Sequence, residues 1–439
     1  MSSADTIFAL ASAPGMAGVA VIRLSGSMAL PVLRRLSGLN EVAPRKAYYV
    51  ALRSPNAETL IDKGIALYFA APHSFTGEDV AEFHIHGSRV AISELLDTLA
   101  GMPGLRHADP GEFTRRACIN GKMDLLEAEG LDDLIRSETR QQKAQALRQM
   151  QGELSGFYQH LRQQIIHSLA HMEAYIDFPD EEIPETVLSS INDNISALSS
   201  DIANALHDNH RGERLRDGIA IVILGAPNAG KSSLLNAIAK RDVAIVSVKA
   251  GTTRDVIEVH MEIAGYPVML VDTAGIRDSD EEIEAEGVRR AIARAESADI
   301  KLVLFDGAVW PDVPSPVRPL VYANAITAIS KCDLLSGVDG DEIFISTKTG
   351  HGIDRLLKVI EQRILSELYS SFPALITRSR HRALLTNALA CLESSLAEAP
   401  IELKCEELRR AALAIGKITG QIQVDDVLDI VFSSFCIGK

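Results

Sequence analysis

The 439-residue chain is poor in three things, and each shortage excludes a class of protein. Cysteine occurs five times (Cys118, Cys332, Cys391, Cys405 and Cys436), an odd and scattered set without a C-x-x-C pair. That speaks against a disulfide framework or a zinc knuckle and for a reducing compartment. Positive charge is in deficit: 44 Lys and Arg against 59 Asp and Glu leave a net charge of −15. An indiscriminate nucleic-acid binder is excluded, because any phosphate recognition must be local against a repulsive overall field. Long apolar runs are missing too; stretches such as Ile219 to Leu224 are too short to cross a bilayer, and the amino terminus lacks a basic start followed by an apolar signal core. A cytoplasmic protein without a membrane partner is expected. What is present, 46% hydrophobic and 23% charged residues, is ordinary globular composition, and the length suits about three domains.

Residues 1–122 are rich in strand patterns and punctuated by Gly and Pro, with Ala17 to Leu24 and Val80 to His86 as strands, so a small α+β domain is expected. From 123 to 212 the punctuation fades and apolar residues recur at helical spacing (Leu147, Met150, Leu154, then Phe157, Leu161, Ile165), which predicts long helices. Phe178 to Pro184 makes one acidic, proline-broken interruption. Arg211-Gly212-Glu213-Arg214 reads as a charged linker. Residues 213–372 alternate strands (219–224, 256–263, 268–271, 300–305, 325–330, 343–346) with helices, an α/β pattern. Helical text returns over 373–439, so the α/β block reads as a domain inserted into a helical bundle whose two flanks pack as one unit.

Gly225-Ala226-Pro227-Asn228-Ala229-Gly230-Lys231-Ser232 is a complete G-x-x-x-x-G-K-S between a strand and a helix that begins with Ser233. Backbone N–H groups of such a loop surround phosphates, Lys231 reaches the β and γ oxygens, and Ser232 binds Mg²⁺. Gly251-Thr252-Thr253-Arg254-Asp255 follows, then two strands ending in Asp272-Thr273-Ala274-Gly275. That order is the switch arrangement of a Ras-like G domain: Thr253 gives a second Mg²⁺ oxygen, Asp272 holds the ion through water, and the Gly275 amide senses the γ-phosphate. Ile276 stands where Ras-like enzymes carry the water-orienting glutamine, so that role falls elsewhere. The acidic Asp280-Glu281-Glu282-Ile283-Glu284 is either its source or the acidic first turn of the following helix. Ser330-Lys331-Cys332-Asp333 takes the place of Asn-Lys-x-Asp, and Ser346-Thr347-Lys348 that of Ser-Ala-Lys. Asp333 can accept from guanine N1 and N2, which favours GTP over ATP.

These motifs, together with Val21-Ile22-Arg23-Leu24-Ser25-Gly26, Ser74-Phe75-Thr76-Gly77-Glu78-Asp79-Val80, Gly111-Glu112-Phe113-Thr114-Arg115-Arg116-Ala117 and Phe435-Cys436-Ile437-Gly438-Lys439, make the whole chain resemble the MnmE (TrmE) family of tRNA-modification GTPases. The resemblance implies an amino-terminal domain that dimerises and binds 5-formyltetrahydrofolate or a related one-carbon folate. It also implies a homodimer joined to a flavoprotein partner, MnmG, in a heterotetramer, FAD entering only through that partner. Together they would place an aminomethyl or carboxymethylaminomethyl group on C5 of the tRNA wobble uridine. Hydrolysis would depend on K⁺ and on pairing of the G domains. Motif position implies K⁺ ligands Asn228, Ser247, Lys249 and Thr252, with Val248 and Ala250 in the same nucleotide-binding loop. It implies Glu284 as the catalytic water-orienting carboxylate beside Lys231 and Asp272, and folate contacts at Arg23, Glu82 and Lys122 with Lys439 nearby.

One residue keeps two readings. Cys436 is either a participant in the modification chemistry or a buried thiol; Gly438 and Lys439 exclude a prenylation signal. His84 and His86 are the polar face of a strand rather than a metal pair, since further ligands are not marked nearby. The competing function is a ribosome-assembly GTPase resembling Era or Der. Against it, the chain carries neither a second P-loop nor a basic RNA-binding module after Phe372.

Overall fold

A computed structural model of the chain describes residues 5–55, 59–177, 185–208, 210–226, 228–240, 258–272, 298–311, 325–335, 342–368, 375–421, 431–432, 435 and 438. It divides into two compact units, Met1–Asp132 with Gln149–Ala174 and Cys405–Lys439, and Asp133–Arg148 with Tyr175–Lys404.

The first unit is built on a six-stranded sheet of β1 (Thr6–Leu10), β2 (Ala17–Ser25), β3 (Tyr48–Arg53), β4 (Leu60–Phe69), β5 (Val80–Gly87) and β6 (Leu105–His107), in the order β3-β4-β5-β2-β1-β6. Its pairs are antiparallel except β1 with β6. The alternation seen in the sequence puts Ile22, Leu24, Phe83 and Ile85 on one face, where α1 (Ala29–Ser37) and α2 (Arg89–Ala100) cover them. Each such side chain removed from water contributes roughly 1.5–3 kcal/mol. The opposite face carries Ile7 and Ala9, packed with Ala108, Phe75 and Phe113 of α3 (Glu112–Ile119).

Three of the motifs singled out above meet beneath that face. Ser25 donates to Glu78 (2.7 Å), which accepts from Arg116 (3.0 Å); Arg116 in turn pairs with Glu112 (3.0 Å), and Arg106 holds Glu112 at 2.6 Å. Glu112 and Arg116 are each 9% exposed. The carboxy-terminal segment closes the unit. A Cβ on Gly111 (φ +67°) would lie 2.7 Å from the Phe432 carbonyl, and Gly438 (φ +96°) presses so closely on the Leu10 carbonyl that no side chain fits there.

Helices follow as the spacing predicts: α4 (Leu125–Arg136), α5 (Arg140–Met150), α6 (Glu153–Asp177) and α7 (Glu185–Leu206). The acidic break at 178–184 lies outside the described residues. The charged linker expected at Arg211 to Arg214 is instead the start of a short helix, α8 (Arg211–Asp217). Two of its charges are taken up within the fold: Glu213 accepts from Arg382 (2.9 Å) and Arg214 pairs with Asp299 (2.7 Å), while Leu215 is buried.

The second sheet contains β7 (Ile219–Gly225), β8 (Glu258–Ile263), β9 (Tyr266–Asp272), β10 (Ile300–Asp306), β11 (Ile326–Ser330) and β12 (Ile343–Phe344), in the order β12-β11-β10-β7-β9-β8. All pairs are parallel except β8 with β9, and both faces are covered, which explains why β7 reads as a continuous apolar run. Ile219, Ile221 and Ile223 pack with α9 (Lys231–Ala239) and α10 (Ile353–Leu368), whereas Val222 and Leu224 pack with Val303, Phe305 and Ile329. A two-residue turn, Ala264-Gly265, joins β8 to β9, and Pro267 already belongs to β9. The bundle returns with α11 (Ser379–Leu396), packed on α7, and α12 (Ile401–Thr419), whose Arg409 reaches Glu173 of α6.

Candidate functional site

The parallel strands of the second sheet bring their carboxy-terminal ends together, the position where open α/β sheets bind ligands. β7 ends in Gly225, which opens the phosphate loop; a Cβ there would lie 2.4 Å from the Leu304 carbonyl of β10, so only glycine fits. Gly230 (φ +92°) caps α9, and Lys231 begins it. The helix therefore points its amino-terminal N–H groups and positive dipole end toward the loop.

Lys231 is 7% exposed, yet its ammonium is satisfied: Nζ donates to the carbonyls of Gly225 (2.8 Å) and Ala226 (2.9 Å). The lysine is thus held over the loop's own backbone. Asn228 is exposed at φ +62°, Ala229 is buried, and Ser232 and Ser233 lie in the first turn of α9. Asp272 ends β9 in register with Ile223, two residues before Gly225, so the backbone brings this aspartate to the phosphate end of the sheet.

The loops after β11 and β12 form the other side. Ser330 Oγ lies 2.7 Å from the Ala229 carbonyl and 3.0 Å from the Phe305 carbonyl. A hydroxyl has one proton to share between them. The residue standing in place of asparagine therefore ties the phosphate loop to β10. Lys331 (φ +53°) donates to Asp306 at 2.6 Å. Burial works against ionisation of Asp306, but the bond from Lys331 prevails and holds its carboxyl below the usual aspartate value. The exposed Asp333 accepts on Oδ1 from the buried Ser346 hydroxyl at 2.7 Å, which holds its carboxyl low. Thr347 and Lys348 are exposed beside it.

In the first unit, the cross-strand pair Arg23 and Glu82 is joined through Nε and Oε1 at 2.9 Å, with His84 on the other carboxylate oxygen at 3.1 Å. The Arg23 guanidinium lies over the rings of Phe75 (5.4 Å) and Phe113 (5.9 Å). Lys122 sits apart from this pair, donating to the Pro72 carbonyl on the loop that carries Phe75. His86 pairs with Asp62 rather than with His84, and among the described residues no three side chains are grouped to hold a metal.

Ser247, Val248, Lys249, Ala250, Gly251, Thr252, Thr253, Thr273, Ala274, Gly275, Glu284, Cys436 and Lys439 lie outside the described residues. Asp306 escaped the reading of the sequence, although it could have been found as the polar end of an apolar strand; Phe75 and Phe113 stood within the quoted motifs but were not singled out as site residues, because their approach to Arg23 is not local.

Comparison with known proteins gives the chain its family. A model of the GTP-binding protein TrmE N-terminus matches residues 6–122, and a model of the MnmE helical domain matches residues 125–436. The chain belongs to the MnmE family. Its relatives include the tRNA modification GTPase MnmE of Parvibaculum lavamentivorans, 49% identical over 99% of this chain and 100% of that one. The proteins of the same name from Paramagnetospirillum magneticum (46% identical, 99% and 100% covered) and Azorhizobium caulinodans (47%, 100% and 99%) are similar along their full lengths. The fold of an MnmE-family chain, an α+β amino-terminal domain, a helical domain and a Ras-like P-loop domain, is therefore the fold described above.

Proposed function

We propose that this chain hydrolyses GTP and uses the resulting change of state to modify tRNA. The observation that carries the reading is the convergence of Lys231, the Ala229 carbonyl held by Ser330, and the Ser346-anchored Asp333 at one end of the sheet. Full-length likeness to proteins named tRNA modification GTPase supplies the tRNA.

In this mechanism Lys231 exchanges its two backbone carbonyls for β and γ phosphate oxygens, and the α9 N–H groups take the rest of the negative charge. Asp333 accepts from guanine N1 and N2, a pair of donors adenine lacks. The oxygens of Ser232 and Thr253, with Asp272 behind them, suit Mg²⁺, which neutralises phosphate charge when bound. Asn228, Ser247, Lys249 and Thr252 are assigned to K⁺, and Glu284 to orientation of the attacking water.

The Arg23–Glu82 pair suits a folate: one carboxylate for the amino and N–H edge of a pterin, one guanidinium, and two aromatic rings within reach. Lys122 and Lys439 are assigned to the anionic tail, and Cys436 remains a candidate in the modification chemistry. We assign residues 1–122 to folate binding and dimerisation, 213–372 to the inserted G domain, and 123–212 with 373–439 to the helical domain. A homodimer joined to the flavoprotein MnmG completes the proposed assembly, in the cytoplasm.

Mass analysis of wobble uridines in cells lacking the chain tests the function. Loss of the C5 substituent, restored by the wild-type gene but not by Lys231→Ala, is expected; unchanged uridines would overturn the reading.

A further inference from the structure

Helix α6 buries Leu154, Tyr158, Leu161, Ile165 and Met172 along one side. On the other side stand His167 and His171, both exposed and one helical turn apart. Nothing in the GTPase or folate reading uses them. Their Nε2 atoms are 3.2 Å apart, and their rings meet edge to face with centroids 4.4 Å apart.

That separation has chemical meaning. Two imidazole nitrogens that share one Zn²⁺-sized ion, each about 2.1 Å from it at angles between square and tetrahedral, lie about 3.0–3.4 Å apart. The two rings already hold the same nitrogen of each at that separation, on a backbone that keeps the i, i+4 spacing rigidly. We propose that His167 and His171 form a two-histidine site for a late first-row transition dication, the borderline class that prefers imidazole (Zn²⁺, Ni²⁺, Cu²⁺), with the remaining positions open to water or an added ligand.

Without the ion, one Nε2–H donates to the other Nε2. For both nitrogens to face a metal, the donor ring moves its proton to Nδ1, so neutral rings bind without net loss of a proton. Mg²⁺ and K⁺ prefer oxygen donors and are not competitors. His160 lies on the same exposed stripe but two turns away, roughly 10 Å along the axis, too far to join the pair.

The test titrates the full chain with Cu²⁺–nitrilotriacetate, whose open positions accept two cis imidazoles, and reads nitrogen coupling by electron paramagnetic resonance. One equivalent with two imidazole nitrogens is expected. His167→Ala and His171→Ala should each lose the two-nitrogen signal and weaken that equivalent on the order of 100-fold, because the second ligand binds intramolecularly. His160→Ala should change neither, and Zn²⁺ should displace the copper. GTP turnover and far-ultraviolet circular dichroism of the variants report whether the fold is intact. A wild-type signal with a single imidazole, or one that survives both His167→Ala and His171→Ala, would overturn the proposal.

Discussion

The Ser330 hydroxyl and the Ala229 carbonyl, 101 residues apart in sequence, are 2.7 Å apart in the fold. Through this contact the base-binding side of the site steadies the phosphate loop. The single hydroxyl proton is committed to backbone carbonyls, so the residue in the asparagine position donates nothing to the purine. Ser330→Ala removes the tie and leaves the Ala229 carbonyl unpaired in a buried place, at a cost of about 1–3 kcal/mol. Nucleotide affinity should fall up to roughly 100-fold, for GDP as much as for GTP, by titration with a fluorescent analogue. Equal affinity for the variant would separate the tie from binding.

With Ser330 occupied, purine choice rests on Asp333. Asp333→Asn replaces an acceptor by a donor that faces guanine's own N–H groups, and Ser346 keeps the side chain where it is. Affinity for GTP should fall by about 100-fold or more, while xanthosine triphosphate, which presents a carbonyl at C2, should bind better than GTP. A competition assay between the two nucleotides reads the inversion directly.

Glu112 offers a prediction about acid. Burial disfavours its charge, but the bonds from Arg106, the Asp109 N–H and Arg116 outweigh it and hold the carboxyl below the usual glutamate value of 4.5. A depressed pKa contributes stability that is complete above about pH 4.5 and is lost as pH falls through that value toward the folded one. Glu112→Gln should cost roughly 2 kcal/mol at pH 7, because it removes the carboxylate that Arg106 and Arg116 share and leaves Arg116 with Glu78 alone, and should flatten the decline in melting temperature below pH 5. Parallel acid-melting curves for variant and wild type would show that Glu112 does not carry the effect.

Glu284→Ala should slow GTP hydrolysis by about 100-fold or more with nucleotide affinity nearly unchanged, the pattern of a group that acts on the attacking water alone. Exchange of K⁺ for Na⁺ should lower the wild-type rate sharply. Equal turnover in both salts would remove the ion from the mechanism.

The phosphate loop was legible because its chemistry is local: eight consecutive residues between an apolar strand and a helix carry the motif, and β7 and α9 lie where that order puts them. Arg23 and Glu82 were legible only through the family resemblance, since their pairing depends on the register of β2 against β5. The contacts Ser25–Glu78 and Arg116–Glu78 span 53 and 38 residues, and no periodicity reports distances of that kind. Helix α8 was misread for the same reason. Its charges look solvated until Arg382, 169 residues beyond Glu213, arrives to neutralise them.

The carboxy-terminal segment imposes an order in time. Gly111 rests on the backbone of Phe432, and Leu10 on that of Gly438, so the amino-terminal sheet gains this last contact from a residue made 438 − 10 = 428 positions later. At about 5–20 residues per second the ribosome takes roughly 20–90 s to cover that stretch. Throughout that interval Leu10 and Gly111 lack the contacts that Gly438 and Phe432 make with them, and a chain broken off early never acquires them. The last residues to be made thus complete the packing of the first.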